Sequence, residues 1–159
     1  MSNLVFRDLN PTSYDEVYQF LLTHEYSWRD SDPEGFIAKT EEKRDKTTLF
    51  FMEKMQGPDT LFCGICGFDE NKMVGSHFIE IQTIDYKKAA HIHGLWVDPQ
   101  YRGMGIASKL KVEGEKWAIS QQCEMMDANV RVSNNAMIEL NKKLGYKIER
   151  YNFRKNLKS

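Results

Sequence analysis

The chain contains no run of about 18 apolar residues, which excludes a helix long enough to span a bilayer. It has only three cysteines, an odd number in a domain of this size, so they do not read as a disulfide framework. Neither sign of charge dominates: 22 basic residues stand against 23 acidic ones, for a formal net charge of −1. A balance that even gives no overall drive toward nucleic acid or an anionic membrane. The sequence does not open on a basic stretch followed by an apolar core, so no signal peptide is expected. Internal repeats, low-complexity tracts and interdomain linkers are missing as well. What is present is ordinary for a globular protein, with 41% hydrophobic and 12% aromatic residues in a chain of 159. That length suffices for one domain with a real core. The expectation is a single cytoplasmic domain over residues 1–159.

Element by element, Leu4–Leu9 alternates loosely and reads as a strand closed by Pro11. Ser13 and Glu16 form a Ser-x-x-Glu capping box. Tyr14, Val17, Tyr18, Leu21 and Leu22 then fall on one helical face, and that helix should end near His24. Asp32 can cap a second helix with Pro33 in its first turn, running from Glu34 to about Gln56 before Gly57-Pro58 stops it. A strand at Thr47–Glu53 competes with that reading. Strand-formers then fill Leu61–Phe68, Met73–Ile84 and Lys88–Val97, and the short connections make these an antiparallel meander. Gly105 to about Gln121 reads as a helix, and its internal Gly114, which costs about 1 kcal/mol relative to Ala, marks a close packing contact. Met125–Val132 is a strand, Asn134–Leu144 a helix stopped by Gly145, and Tyr146–Leu157 a last strand or a very short pair. The order is β-α-α-β-β-β-α-β-α-β. Strand, glycine loop, helix and strand in the second half form a crossover unit, so one parallel pair sits in a mostly antiparallel sheet.

The stretch from His91 to Ser108 carries the chemistry: an apolar strand, a Pro turn, and Arg102-Gly103-Met104-Gly105-Ile106-Ala107 running into the helix. Such a loop aims several backbone N–H groups at one point, and the helix N-terminus adds roughly half a positive charge there. A phosphate ester is the natural guest. Gly103 and Gly105 let the backbone approach it closely, because neither carries a Cβ. The alternative is that both merely shape a turn.

That loop matches the Gln/Arg-x-x-Gly-x-Gly/Ala signature of the Gcn5-related N-acetyltransferases, the GNAT family, which the chain resembles. Leu95-Trp96-Val97-Asp98-Pro99-Gln100-Tyr101 resembles the end of the family's fourth strand, and Asn134 precedes Gly145-Tyr146 by eleven residues as in its Asn…Gly-Phe/Tyr helix. The resemblance implies an α/β (α+β) fold with a mixed, mostly antiparallel sheet of six to seven strands flanked by about four helices. It further implies that Arg102, Gly103, Met104, Gly105, Ile106, Ala107 and Ser108 hold the pyrophosphate of acetyl-CoA. The backbone of Leu95, Trp96 and Val97 would bind the pantetheine arm where the fourth strand splays from the fifth. Asn134 would touch the same arm through its side chain, or serve only as a helix cap.

His91 and His93, two apart on a strand, point to one face and can take a proton from a substrate ammonium near neutral pH. His91-Ile92-His93-Gly94-Leu95 is similar to the His-Leu-His-Ala-Leu of the arylalkylamine acetyltransferases, where the two histidines line the proton's exit path. Ordinary polar strand positions are the plain alternative, and a metal site lacks further ligands at fixed spacing. Many family members place a Tyr, as acid to the leaving thiolate, where this chain has Asn141; an amide can donate only a hydrogen bond there. The thiolate then leaves unassisted, as its ordinary acidity allows, or with help from a water or another side chain, of which Tyr146 and Tyr101 are candidates, or turnover is slow. Cys63-Gly64-Ile65-Cys66 has C-x-x-C spacing, but residues three apart on a strand face opposite sides, so the thiols read as core.

Glu25–Phe36 falls where the family builds its acceptor pocket: Tyr26 and Trp28 could hold an aromatic or alkyl group, and Asp30 or Asp32 an amine. Only fourteen residues follow Gly145, too few for the family's usual terminal hairpin, which leaves the acceptor site open or completed by a second copy in a homodimer. The resulting expectation is an acetyl-CoA-dependent N-acetyltransferase acting on a small-molecule or peptide amine by direct attack, with His91, His93 and Asn141 at the reacting groups. It needs no metal, nucleic acid or membrane. A non-catalytic acyl-CoA-binding module is the first rival. The second is a dinucleotide-binding unit, in which Glu124 or Asp127 would follow Gly103-x-Gly105 by about twenty residues.

Overall fold

A computed structural model describes residues 3–158. Strand β1 (Leu4–Asp8) leads into helices α1 (Tyr14–Ser31) and α2 (Glu41–Lys54). Strands β2 (Phe62–Asp69), β3 (Lys72–Ile84) and β4 (Lys87–Val97) follow, then a 3₁₀ turn at Pro99–Tyr101. Helix α3 (Ile106–Ser120), strand β5 (Met125–Ala128) and helix α4 (Asn135–Lys143) complete the order. The described residues thus form a mixed α/β fold of five strands and four helices.

The sheet runs β1-β2-β3-β4-β5. Its first three pairings are antiparallel. β4 and β5 are parallel, matched over Ala89–Ile92 and Met125–Ala128. A two-residue hairpin, Asp85-Tyr86, joins β3 to β4 with φ of 49° and 66°, the positive pair a tight twisted hairpin requires. One face of the sheet buries Val17, Phe20, Met55 and Phe78 under α1 and α2. The other buries Val74, Ile79, Ile106 and Leu110 under α3. The chain divides after Asn129 into two compact units. The first contains the whole sheet with α1 to α3; the second contains α4.

Three expectations are corrected. Helix α1 does not end near His24 but continues to Ser31. Nothing in Glu25–Ser31 breaks a helix, and the extension is held against β4. Asp32 stops it, because a residue before proline is driven out of the helical region. Second, Asp32 does not cap α2: its Oδ1 accepts from the Gly35 amide at 3.2 Å, closing a turn. α2 begins at Glu41, capped by Thr40 Oγ1 accepting from Lys43 N at 3.3 Å, and the competing strand at Thr47–Glu53 does not form. Third, the sheet has five strands rather than six or seven, because Tyr146–Leu157 adds none. Its apolar side chains at Ile148, Tyr151, Phe153 and Leu157 change parity along the chain, so no single strand face collects them, and all four are exposed.

Candidate active site

Strand β4 changes character halfway along. Up to Ile92 it is paired on both sides, with β3 and β5. β5 ends at Ala128, opposite Ile92, so His93 to Val97 continue with β3 alone. The edge this frees carries backbone N–H groups that no strand among the described residues pairs, while Leu95 O and Val97 O accept from Ser27 Oγ and Arg102 Nε. The pairing with β3 slips at the same place: Ile79 faces Ile92, Phe78 faces Gly94, and His93 is the extra residue between them. α1 lies along this half of β4. The Tyr26 and Trp96 rings are 5.5 Å apart, and Ser27 Oγ donates to Leu95 O at 3.1 Å. Gly94 has no room for a Cβ, which would collide with His24 Nδ1 on α1.

Beyond Val97 the turn is pinned from below. Asp98 Oδ1 accepts from Gln100 N at 2.9 Å, Lys72 Nζ lies 2.9 Å from the same carboxylate, and Tyr101 OH donates to Asp69 at 2.7 Å. Arg102 turns its guanidinium away from the loop: Nε donates to Val97 O and Nη2 to Asp30 Oδ2, both at 3.0 Å. Gly103 and Gly105 have φ of 81° and 80°, and a Cβ on either would meet open space. Gly105 caps α3 with no side-chain bond. The first helical bond runs from Lys109 N to Gly105 O, so the amides of Ile106, Ala107 and Ser108 precede it and have no helical acceptor. The buried Ile106 side chain anchors this end of α3 in the core. Met104 is exposed, whereas Trp96 and Val97 are buried, so these two face the site through their backbone.

His91 and His93 lie side by side, ring centroids 5.2 Å apart and planes near perpendicular. His91 Nδ1 is 2.6 Å from Asp127 Oδ2 on β5, and His93 Nε2 is 2.5 Å from Glu80 Oε2 on β3. Glu80, His91 and Asp127 occupy one row of the register across three adjacent strands. Burial pushes the Glu80 carboxyl up, but hydrogen bonds from His93 and Gln82 outweigh it and hold it below the usual range. His24 and His93 both pack on Phe78. Burial, aided by the neighbouring His93, drops His24 to about 4, so it is neutral. Glu80 and Asp127 as partners of the histidines were missed in the sequence. The signal was there: single carboxylates inside the apolar strands Phe78–Ile81 and Met125–Ala128.

The other sequence candidates have structural duties. Trp28 packs on Phe36 at 5.1 Å, Tyr26 on Trp96, and Asp30 and Asp32 are engaged with Arg102 and Gly35. Packing and turn formation account for all four, so the structure singles out none as an acceptor residue. Cys63 and Cys66 fall in opposite core clusters, and burial pushes Cys63 up to about 12 and Cys66 higher still. Among the described residues no group of three or more metal-binding side chains converges. Of Glu124 and Asp127, the two carboxylates offered for a dinucleotide site, Asp127 is bound to His91. In the second unit, Asn134 caps α4, its Oδ1 accepting from Met137 N at 3.3 Å, and Asn141 is the buried residue of that helix.

The acetyltransferase (GNAT) family pattern matches residues 5–146. A stretch of 66 residues, 42% of this chain, is 33% identical to an uncharacterized N-acetyltransferase of Methanocaldococcus jannaschii and spans 29% of that protein. Among solved structures, an aminoglycoside acetyltransferase from an uncultured soil metagenomic sample, in complex with trehalose, superposes with a TM-score of 0.73 at 16% identity, covering 98% of this chain and 97% of its own. The aminoglycoside N-acetyltransferase AAC(6')-Iy in complex with CoA superposes with a TM-score of 0.68 at 17% identity, covering 99% and 97%. At these identities the two likenesses establish a shared fold.

Proposed function

We propose that this chain, which belongs to the acetyltransferase (GNAT) family, transfers the acetyl group of acetyl-CoA to a primary amine of a small molecule or peptide by direct attack within a ternary complex. The observation that carries this reading is the freed edge of β4 leading straight into an uncapped helix N-terminus. The residues fit the carrier: the amides of Ile106, Ala107 and Ser108, with Gly103 and Gly105 leaving space in front, suit a diphosphate. The unpaired N–H groups on the free edge of Leu95 to Val97 suit the carbonyls of a peptide-like arm. When bound, acetyl-CoA supplies the thioester. Solved relatives described as complexes with CoA and with a CoA-neamine bisubstrate analogue support that class of ligand pair.

His91 or His93 takes a proton from the bound ammonium, directly or through water, and frees the nitrogen lone pair. Backbone N–H groups on the open half of β4 accommodate the negative charge developing on the carbonyl oxygen. The N–C bond forms and the C–S bond breaks; the products are the acetamide, the CoA thiol and one proton. Neither metal nor covalent enzyme intermediate is required. The same reading takes residues 1–159 as one catalytic domain, cytoplasmic and paired as a homodimer.

The test is thiol release from acetyl-CoA across a panel of amines and peptides, with His91→Ala and His93→Ala combined in one variant. The expected loss in kcat is about 10²-fold, with acetyl-CoA affinity nearly unchanged; wild-type turnover would refute the histidine role. Asn141, an amide with no proton of useful acidity, favours a second reading as a non-catalytic acyl-CoA-binding module. Acetyl-CoA binding without thiol release across the whole panel would select it.

A further inference from the structure

We infer that Glu80 and Asp127 are positioning residues that set which nitrogen of each active-site histidine accepts the substrate proton. This rests on the proposed acetyl transfer and its histidine base, and deepens it. A carboxylate offers only lone pairs, so the ring nitrogen facing it must carry the hydrogen. At His91 that nitrogen is Nδ1, bonded to Asp127, which leaves the lone pair on Nε2. At His93 it is Nε2, bonded to Glu80, which leaves the lone pair on Nδ1. The two rings are therefore held in opposite tautomers, an arrangement two solvated histidines on a strand would not keep.

The backbone enforces it. Asp127 and Glu80 flank His91 in direct register, so the Asp127 contact needs no unusual geometry. His93 would lie one step further along, beyond Glu80, were it not the extra residue of the β4 irregularity; that irregularity brings its Nε2 back to Glu80. Gln82 Nε2 donates to the same Glu80 oxygen at 3.0 Å and fixes the carboxylate in turn.

The experiment uses the full chain. Nitrogen-15 spectra of the wild type should show His91 protonated at Nδ1 and His93 at Nε2 in the neutral form; the opposite assignments would overturn the inference. Asp127→Asn and Glu80→Gln keep shape, but the amide N–H can donate to the ring and push its proton to the far nitrogen. Each should lower kcat about tenfold to a hundredfold and leave KM for acetyl-CoA within about twofold. Asp127→Glu should recover part of the rate. Wild-type rates in both amide variants would overturn the inference. If they occur while the double histidine variant is inactive, the carboxylates fail and the histidine base stands. If the double histidine variant is active, the base itself fails.

Discussion

Gly103 and Gly105 allow a ligand cradle to be separated from a mere turn. Both have positive φ, and a Cβ on either touches no protein atom within 4 Å. Substitution by Ala therefore brings no clash, only the penalty of a left-handed backbone, about 1–2 kcal/mol. Against a typical stability of about 5–15 kcal/mol the fold survives. The ligand would feel more. If the new methyl group or a shifted loop deprives the diphosphate of one amide donor, a hydrogen bond to a charged group is lost, about 1.5–3 kcal/mol, or roughly tenfold to a hundredfold in Kd. Gly57 is the control: its φ is 92° and its surroundings are equally open, but it lies in the turn after α2. Calorimetric titration with CoA, paired with urea unfolding, should give the same stability loss for Gly57→Ala, Gly103→Ala and Gly105→Ala. Weakened CoA binding should appear only in the last two. Equal affinity in all three would mean that the loop glycines shape a turn and nothing more.

Two further outcomes test the packing beneath the site. Lys111 is buried, and desolvation lowers it from 10.5 to about 8. That displacement corresponds to roughly 3 kcal/mol of destabilisation at neutral pH. Between those values the unfolded state binds the proton and the folded state does not, so this penalty fades from pH 8 to pH 10. The buried thiols of Cys63 and Cys66 act in the opposite sense, so the comparison is with Lys111→Met, which keeps them: its stability in urea relative to wild type should fall by about 2 kcal/mol between pH 7 and pH 10, and an unchanged gap would refute it. Gly114→Ala sets a helix-propensity gain of about 1 kcal/mol against a methyl group 2.7 Å from His77 Nε2 and 2.8 Å from Ile79 Cδ1. Overpacking costs about 1–3 kcal/mol, so thermal unfolding should show a net loss, and a gain in Tm would show that His77 yields freely.

The meander, the crossover helix and the glycine loop were legible because their signals are local. Short polar turns separate β2, β3 and β4, and Gly103 and Gly105, just beyond a Pro turn, announce a helix N-terminus. The expectation that Gly114 marks close packing holds for the same reason: a glycine inside an amphipathic helix needs a neighbour to explain it, and His77 is that neighbour. Boundaries decided by tertiary contact were not legible. α1 passes His24 because Tyr26 and Ser27 find Trp96 and Leu95, about seventy residues away. α2 starts late because its cap, Thr40, is followed by Lys43 rather than by the Glu of a capping box. At the site, the spacing of His91 and His93 foretold their shared face, whereas their carboxylate partners lie on two other strands and depend on register.

That dependence on register explains why one strand can serve two purposes. A proton acceptor must be held rigidly, and a bound thioester arm needs unpaired backbone; an ordinary strand supplies one or the other along its whole length. β4 supplies both because its second partner stops at Ala128. On the doubly paired side of that point, His91 is locked between Glu80 and Asp127 in a three-strand row. On the other side, Leu95 to Val97 keep only β3 and expose the opposite edge. The extra residue, His93, sits at the boundary and is turned back toward the rigid half by Glu80. In the proposed acetyl transfer, the place where β5 ends therefore sets where the reaction would occur. A longer β5 would close the edge the carrier needs, and a shorter one would release His91 from Asp127.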